Sequence, residues 1–409
     1  MARAWISTLS LLAVLGLAAA GEQPKASEKP ATSAPTRDSE EATVNPVPTP
    51  VDVAPAPSNH NQFWFGVDYL GWWLTGSHLP PLITASPPDT SRTQSGVLGA
   101  LGTQVLFGGE SVNDDFRSGV RFRVGGWLDE SCTKGFELRT LCLDGQADRF
   151  VAGSPDGSLL VSRPFVDART PRQNAELVSF PGVLAGAVSA DAESTKFWEL
   201  DALCRWNCCR NCWGYIDVLA GYRYLQFGDR VRVIEQLTPL ATPGSQINLV
   251  DEFSASNRFN GGVVGLAAGY TYGMWFVELQ THFAVGVSSR TVSISGATQI
   301  FSPGGTITAP GGLLALPTNI GTYHSSDCTV VPDLELTVGC WLTRCCRLMV
   351  GYSVLYWPGV ARAGEQIDFA VNPSQLPPGA LVGPARPAFV LHRSDLWAQG
   401  FSIGVEFRY

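Results

Sequence analysis

Three observations predict an all-β chain, closed as an antiparallel barrel of about ten strands that crosses a membrane. The first is the stretch Phe401-Ser-Ile-Gly-Val-Glu-Phe-Arg-Tyr409, apolar at every second position and ending on an aromatic residue. Strand side chains alternate sides, so Phe401, Ile403, Val405, Phe407 and Tyr409 share one face, opposite Ser402, Gly404, Glu406 and Arg408. The second is a succession of such alternating segments, joined by connections that are short and long in strict turn. The third is composition: 45% hydrophobic and only 16% charged, with 43 Gly and 12 Trp in 409 residues. That mixture suits a wall that faces lipid and turns tightly at its rims.

Met1-Ala-Arg3 and the apolar run Trp5 to Ala20, ending Ala18-Ala-Ala20, read as a secretory signal peptide over residues 1–20, cleaved near Ala20–Gly21. No Cys follows the cleavage site, so no lipid anchor is expected. The run is shorter than the roughly 20 residues of a spanning helix, and no other stretch reaches it, which excludes a helical membrane protein. Residues 21–61, rich in Pro, Ala, Thr and Ser without periodicity, read as a disordered periplasmic leader, leaving 62–409 for the barrel. A net charge of −8 gives no footing for nucleic acid.

Strand one is expected over about residues 62–75, with Phe63, Phe65, Val67, Tyr69 and Trp73 on one face and Asp68 on the other. After a long segment, strand two (117–128) alternates Val120, Phe122 and Val124 with Arg121 and Arg123. A short turn gives strand three (135–143), Phe136 and Leu138 against Glu137 and Arg139. A long Pro-containing stretch, 144–194, precedes strand four (195–206), where Trp198, Leu200 and Ala202 oppose Glu199 and Asp201. The turn 207–212 hands over to strand five (213–227), Ile216, Val218, Tyr222 and Tyr224 against Asp217 and Arg223.

A loop near 237–257 leads to strand six (258–272), which turns at Gly273-Met274 into strand seven (275–292). There Val277, Leu279, Phe283 and Val285 oppose Glu278, Gln280 and His282. A Gly/Pro-rich loop, 295–327, precedes strand eight (329–342), Leu334, Leu336 and Val338 against Asp333 and Glu335. Strand nine (347–357) follows a short turn, and a last loop, 358–393, precedes the closing strand. The count is about ten, or about 12 if a long loop hides a hairpin. Short turns on one side and long loops on the other place both termini in the periplasm. Trp and Tyr gather near both rims, Trp206, Trp213, Tyr272, Trp275, Trp341 and Tyr409 at one and Trp72, Trp73, Tyr224, Tyr356, Trp357 and Trp397 at the other. Two such belts mark headgroup level on either side of a bilayer.

The inward charges carry the functional reading. Asp68, Glu137, Glu199, Asp201, Asp217, Glu278, Asp333, Glu335 and Glu406 share the non-apolar faces with Arg121, Arg123, Arg139, Arg223, Arg408 and His282. On the lipid side each basic residue would cost roughly 2–4 kcal/mol at the midplane, so this side is the lumen. The acidic excess predicts mild cation preference in a narrow pore passing small solutes or ions. About ten strands leave a small bore at best, since barrels of about eight fill their interior. A structural or surface-interaction barrel acting through its long outside loops is the alternative. His282 shares its face with Ser288, but the intervening strand spans about 20 Å, too far for a hydrolase pair. Gly262-Val-Val-Gly265 has no helix behind it and is no dinucleotide loop. No enzyme activity, cofactor or resident metal is expected.

Of the ten Cys, Cys132, Cys208, Cys209, Cys212, Cys345 and Cys346 fall in or beside the short turns, and Cys204 and Cys340 lie within reach. In an oxidising compartment rim disulfides are the expectation, each adding roughly 2–4 kcal/mol, with the pairing unreadable from sequence. A zinc site from Cys204, Cys208, Cys209 and Cys212 is the alternative, though its spacing is irregular and no His is near.

The stretches GVDYLGWW…LPPLIT, SGVLGALGTQVLFGG, SGVRFRVGGWLD, DVLAGYRYL, GGLLALPTNIG, VPDLELTVG, VGYSVLYWPGVARAGEQID and SDLWAQGFSIGVEFRY closely resemble the type-7 β-barrel porins common in planctomycete-type bacteria. The resemblance covers nearly all of 63–409 and implies an outer-membrane barrel surrounded by lipid, with no catalytic residues to carry over. The closing strand resembles those that serve outer-membrane barrels as an address for the insertion machinery. The turns hold more Cys than the family leads one to expect.

Overall fold

The structure, a computed structural model, describes residues 62–409. The expected signal peptide and leader lie outside the described residues. Ten antiparallel strands follow one another around a ring in chain order: β1 (Phe63–Leu74), β2 (Arg117–Trp127), β3 (Lys134–Leu143), β4 (Phe197–Arg210), β5 (Gly214–Pro239), β6 (Gln246–Tyr272), β7 (Trp275–Ser302), β8 (Gly321–Trp341), β9 (Cys346–Val360) and β10 (Ser394–Arg408). The ring closes where β1 runs in unbroken register with β10, from Trp64↔Arg408 to Leu74↔Ala398. Closure pairs the backbone groups that hydrocarbon could not solvate. Residues 62 and 409 lie at the rim of the short turns, where the Phe63 N–H donates to the Tyr409 carbonyl at 3.0 Å. At the β6–β7 turn Gly273 takes φ +60°, the left-handed value that the first position of a tight two-residue hairpin link requires.

Four strands are far longer than a bilayer needs: β5 to β8 have 26, 27, 28 and 21 residues, where about 10 tilted residues suffice. Their upper halves project beyond the membrane as one wall of a lobe. The sequence reading ends strand five near Phe227 and begins strand six near Arg258, and the structure corrects both. The expected loop contracts to residues 240–245, and β5 pairs with β6 continuously from Gly214↔Tyr270 to Leu237↔Ile247.

The physical reason is an inversion of polarity along each strand. Within the membrane β7 turns Val277, Leu279, Phe283, Val285 and Val287 outward, 40–54% exposed to lipid, and polar Glu278, Gln280 and His282 inward. Above Val287 the same outward face carries Ser289, Thr291, Ser293 and Ser295, while Val292 and Ile294 become buried. Apolar residues face out in lipid and in above it, so the alternation changes phase and reads as a loss of pattern.

The stretch 144–194, expected as loop, also forms strands. Leu184–Ser194 pairs with the upper part of β5, and Gln146–Ser154 pairs with Leu184–Ser194, widening the projecting wall. Leu160–Asp167 and Arg172–Ser179 make a separate sheet with Ile83–Ser86 and Gln104–Phe107. The apolar interior is divided accordingly. One cluster fills the lobe around Leu82, Phe165, Val233, Phe253 and Leu313–Leu316, and another sits within the barrel around Trp72, Phe197, Phe227, Phe259 and Trp357.

Candidate functional site: the barrel interior and the cap above it

Inward alternation brings the expected charges of eight strands to one axis, where they pair in layers. Nearest the short-turn rim, Arg347 bonds Glu278 at 2.6 Å and Glu406 at 2.9 Å, and Arg408 bonds Glu406 at 2.7 Å. Arg205 bonds Glu137 at 2.5 Å and Asp217 at 2.8 Å, with its guanidinium over the rings of Trp64 and Tyr215. The next layer joins Arg121 to Asp68 (2.9 Å) and Glu335 (2.7 Å), and Arg123 to Asp68 (3.0 Å). Arg139 reaches Glu199 (3.0 Å), Asp201 (2.8 Å) and Glu335 (3.3 Å). Arg223 clamps Asp201 through two 2.7 Å bonds and also holds Asp333. The remaining Asp333 oxygen meets His282 Nδ1 at 3.0 Å.

These side chains are almost all buried: Arg223, Asp201 and His282 are wholly inaccessible, and Arg408 at the rim is the most open. The void bounded by Trp72, Arg121, Arg139, Glu199, Asp333 and Glu335 measures about 10 Å³, at the lower limit for one water. Room for the His282 ring comes from Gly265 beside it, where a Cβ would lie 2.7 Å from the ring carbon Cδ2.

Above the charges lies a dry stopper of Trp72, Phe197, Phe227, Phe259 and Trp357, each at most 2% exposed. Trp72 and Trp357 lie at the height of the expected outer belt but on the inner face, Trp72 on the side it shares with Asp68. Adjacent residues of a strand take opposite sides, so Trp73 faces out where Trp72 cannot. Ser288 accepts a hydrogen bond from Trp357 Nε1 at 3.1 Å and makes none with His282. The Nε2 of His282 is buried without a hydrogen-bond partner. The acyl-transfer relay weighed from the sequence is therefore not assembled here.

A cap closes the upper mouth, held by polar side chains on the inner wall. Asp229 accepts from Arg362 Nε (2.6 Å) and the Ala363 N–H (2.8 Å). Asn257 exchanges two 2.8 Å bonds with the backbone of Ala361. Asp251 accepts the N–H groups of Leu313, Leu314 and Ala315 at 3.2, 3.3 and 2.9 Å. Glycine at 312 is required there, because a Cβ would sit 2.1 Å from Asp251 Oδ1. Beside this cradle Arg163 pairs with Asp251 (2.8 Å) and Glu235 (2.5 Å). Burial, reinforced by the charge of Glu235, pushes the Glu176 carboxyl well above the ordinary range, and burial raises Glu235 as well.

The family model of the putative beta barrel porin-7 proteins matches residues 64–409. The chain belongs to that family. No curated protein matches it. Among solved structures it is similar to the outer membrane protease OmpT of Escherichia coli, at 11% identity and TM-score 0.41, covering 86% of this chain and 100% of that one. It is similar also to a Pseudomonas aeruginosa FadL homologue (7%, TM-score 0.22, covering 85% and 89%). A third is the toluene transporter TodX of Pseudomonas putida (8%, TM-score 0.19, covering 85% and 90%).

Arg205, Arg347 and Tyr215 belong to the interior of this porin-7 chain and were missed in the sequence. Arg205 lies two and three strand steps beyond Asp201 and Glu199, so its face was readable. Arg347, the second residue of β9, lies on the side opposite Leu348. With these two arginines the acidic excess that motivated cation preference falls by half, to nine acids against seven arginines.

The cysteines depart from expectation. All ten are free thiols in this structure, so the rim disulfides expected among Cys132, Cys208, Cys209, Cys212, Cys345, Cys346, Cys204 and Cys340 are not formed. Register explains part of this. Outward-facing Cys204 lies between Phe136 and Ala220, and Cys340 between Trp275 and Leu348, so neither opposes a cysteine. Among the described residues no group of three or more metal-ligating side chains is assembled.

Proposed function

We propose that this outer-membrane barrel is sealed and acts through the lobe that its long strands raise above the bilayer, not by passage through its lumen. The observation that carries this reading is the interior itself. Buried charges pair across the axis, an aromatic stopper lies above them, and a hydrogen-bonded cap lies above that. An ion following the axis would have to break several charge-assisted bonds, each stronger than a neutral one, and then displace Phe197, Phe227 and Phe259 from a dry layer. The narrow cation-preferring pore expected from nine acids and five arginines needs water among those charges, and the packing supports none of consequence.

The short-turn rim, with residues 62 and 409, then faces the periplasm, and the lobe faces outward as an interaction surface. Purified protein in planar bilayers is expected to give no conductance steps. Reproducible steps with ion selectivity would reject the sealed barrel in favour of the pore. Protease shaving of intact cells is expected to cut at lobe loops and spare the strands. Protection of the lobe in intact cells would reject the orientation alone.

A further inference from the structure

The outer face of β6, β7 and β8 just above the lipid belt carries a grid of small hydroxyls. Register places Ser254, Ser293 and Thr322 in one row across the three strands, and Ser256, Thr291 and His324 in the row beneath. Ser289 and Ser326 continue the grid downward beside Arg258. Neighbouring strands lie about 4.8 Å apart and alternate residues about 6.7 Å, so the hydroxyls form a near-planar lattice. They bond one another only sparsely: Thr291 Oγ1 meets His324 Nδ1 at 3.1 Å and Ser293 Oγ meets Thr322 Oγ1 at 3.5 Å.

Two features separate this patch from an ordinary solvated face. Between Arg258 below and Glu252 above it holds no Asp, Glu, Lys or Arg, whereas the adjoining wall carries acids and arginines that neutralise one another. Arg230 pairs with Glu193 at 2.5 Å, Arg149 with Glu193 at 3.2 Å and Arg232 with Glu252 at 3.5 Å. It also continues the lipid-facing surface without a break, since Phe283, Val285 and Val287 give way to Ser289, Thr291 and Ser293 on one strand face. That continuity fixes its height at the layer just outside the hydrocarbon. Arg258 marks the boundary, exposed and with no side-chain hydrogen bond or ion pair among the described residues.

We propose that this lattice seats the sugar headgroup of an outer-leaflet glycolipid, whose acyl chains lie on the apolar belt below. Neutral, closely spaced donors and acceptors complement a sugar's hydroxyls, and a charged surface would favour phosphates instead. The inference rests on the outward orientation of the lobe proposed above.

The test is native mass spectrometry of the full chain released from nanodiscs of phosphatidylethanolamine, with and without a purified rough-type lipopolysaccharide. Wild type is expected to retain the glycolipid in preference to phosphatidylethanolamine, and retention should survive raised salt because the contacts are uncharged. The triple variant Ser254→Ala/Thr291→Val/Ser293→Ala is expected to lose glycolipid retention roughly tenfold or more, from three hydrogen bonds removed, with phospholipid retention unchanged. Ser293→Thr, which keeps a hydroxyl, is expected to retain it. Heat-modifiable gel mobility checks that each variant is folded. Equal retention by wild type and the triple variant would overturn the proposal, as would parallel loss of both lipids. Loss confined to Arg258→Gln would overturn it too, since it would indicate phosphate recognition. The assay works in either orientation, so a lobe facing the periplasm would be found by shaving cells and not here.

Discussion

Replacing Arg223 by alanine separates a dry interior from a wet one, because the two predict different magnitudes. Arg223 is inaccessible to solvent, clamps Asp201 through two 2.7 Å bonds and also holds Asp333. Removing it leaves Asp201 with Arg139 and Asp333 with His282, in a region whose free volume would barely hold one water. Breaking a buried pair by deleting one partner costs roughly 3–5 kcal/mol, because the orphaned charge is not resolvated. The same pair lining a water-filled pore would contribute about 0–1 kcal/mol. The predicted loss is therefore about a hundredfold to several-thousandfold in the folding equilibrium. Reversible urea unfolding in lipid vesicles, followed by tryptophan fluorescence, measures it. A loss below about 1 kcal/mol would refute the sealed interior. Planar-bilayer recording on the same variant should stay silent, because the stopper of Phe197, Phe227, Phe259 and Trp357 remains intact.

Asp251→Ala removes the acceptor of three backbone N–H groups and a partner of Arg163, each orphaned donor costing about 1–3 kcal/mol. Residues 311–316 should then exchange amide hydrogen far faster than wild type, and unchanged protection would show that the cap is held otherwise. Glu176 is raised in the folded state, so from the ordinary value of 4.5 upward the folded chain holds a proton that the unfolded chain releases. The lobe should accordingly lose stability as pH rises and resist limited proteolysis better near pH 5 than near pH 8. Glu176→Gln should flatten that dependence, and an unaltered slope would assign it to another group. A membrane-impermeant maleimide should label exposed Cys208 and Cys345 at the short-turn rim from one side of the membrane only. Cys204, set in the lipid belt, should react only after detergent is added, and labelling of all three from the same side without detergent would contradict the barrel's placement.

The barrel itself was legible because one rule, apolar out and polar in, holds for most strands within the bilayer, β6 with its inward Phe259, Val263 and Ala267 excepted. Register pairs such as Asp68↔Arg121 and Asp201↔Arg223 join residues that alternation alone put on the inner side. Two things could not be read. The upper halves of β5 to β8 obey the opposite rule, so Val231 and Val233 face in where Tyr222 and Tyr224 face out, and a single template misses the join. Pairing across the axis is also invisible, since Arg121 meets Glu335 across 214 positions of sequence. Without those partners, a list of inward charges reads as the lining of a pore. The structure shows them consumed by one another.

The unbroken β5–β6 ladder, which runs from the short-turn rim to the far tip of the lobe, has a mechanical consequence. A pull on the lobe is directed along the strands, so its rungs are loaded in shear together and not peeled one at a time. A force applied to the lobe would thus pass straight down one continuous strand pair into the lower wall of the barrel.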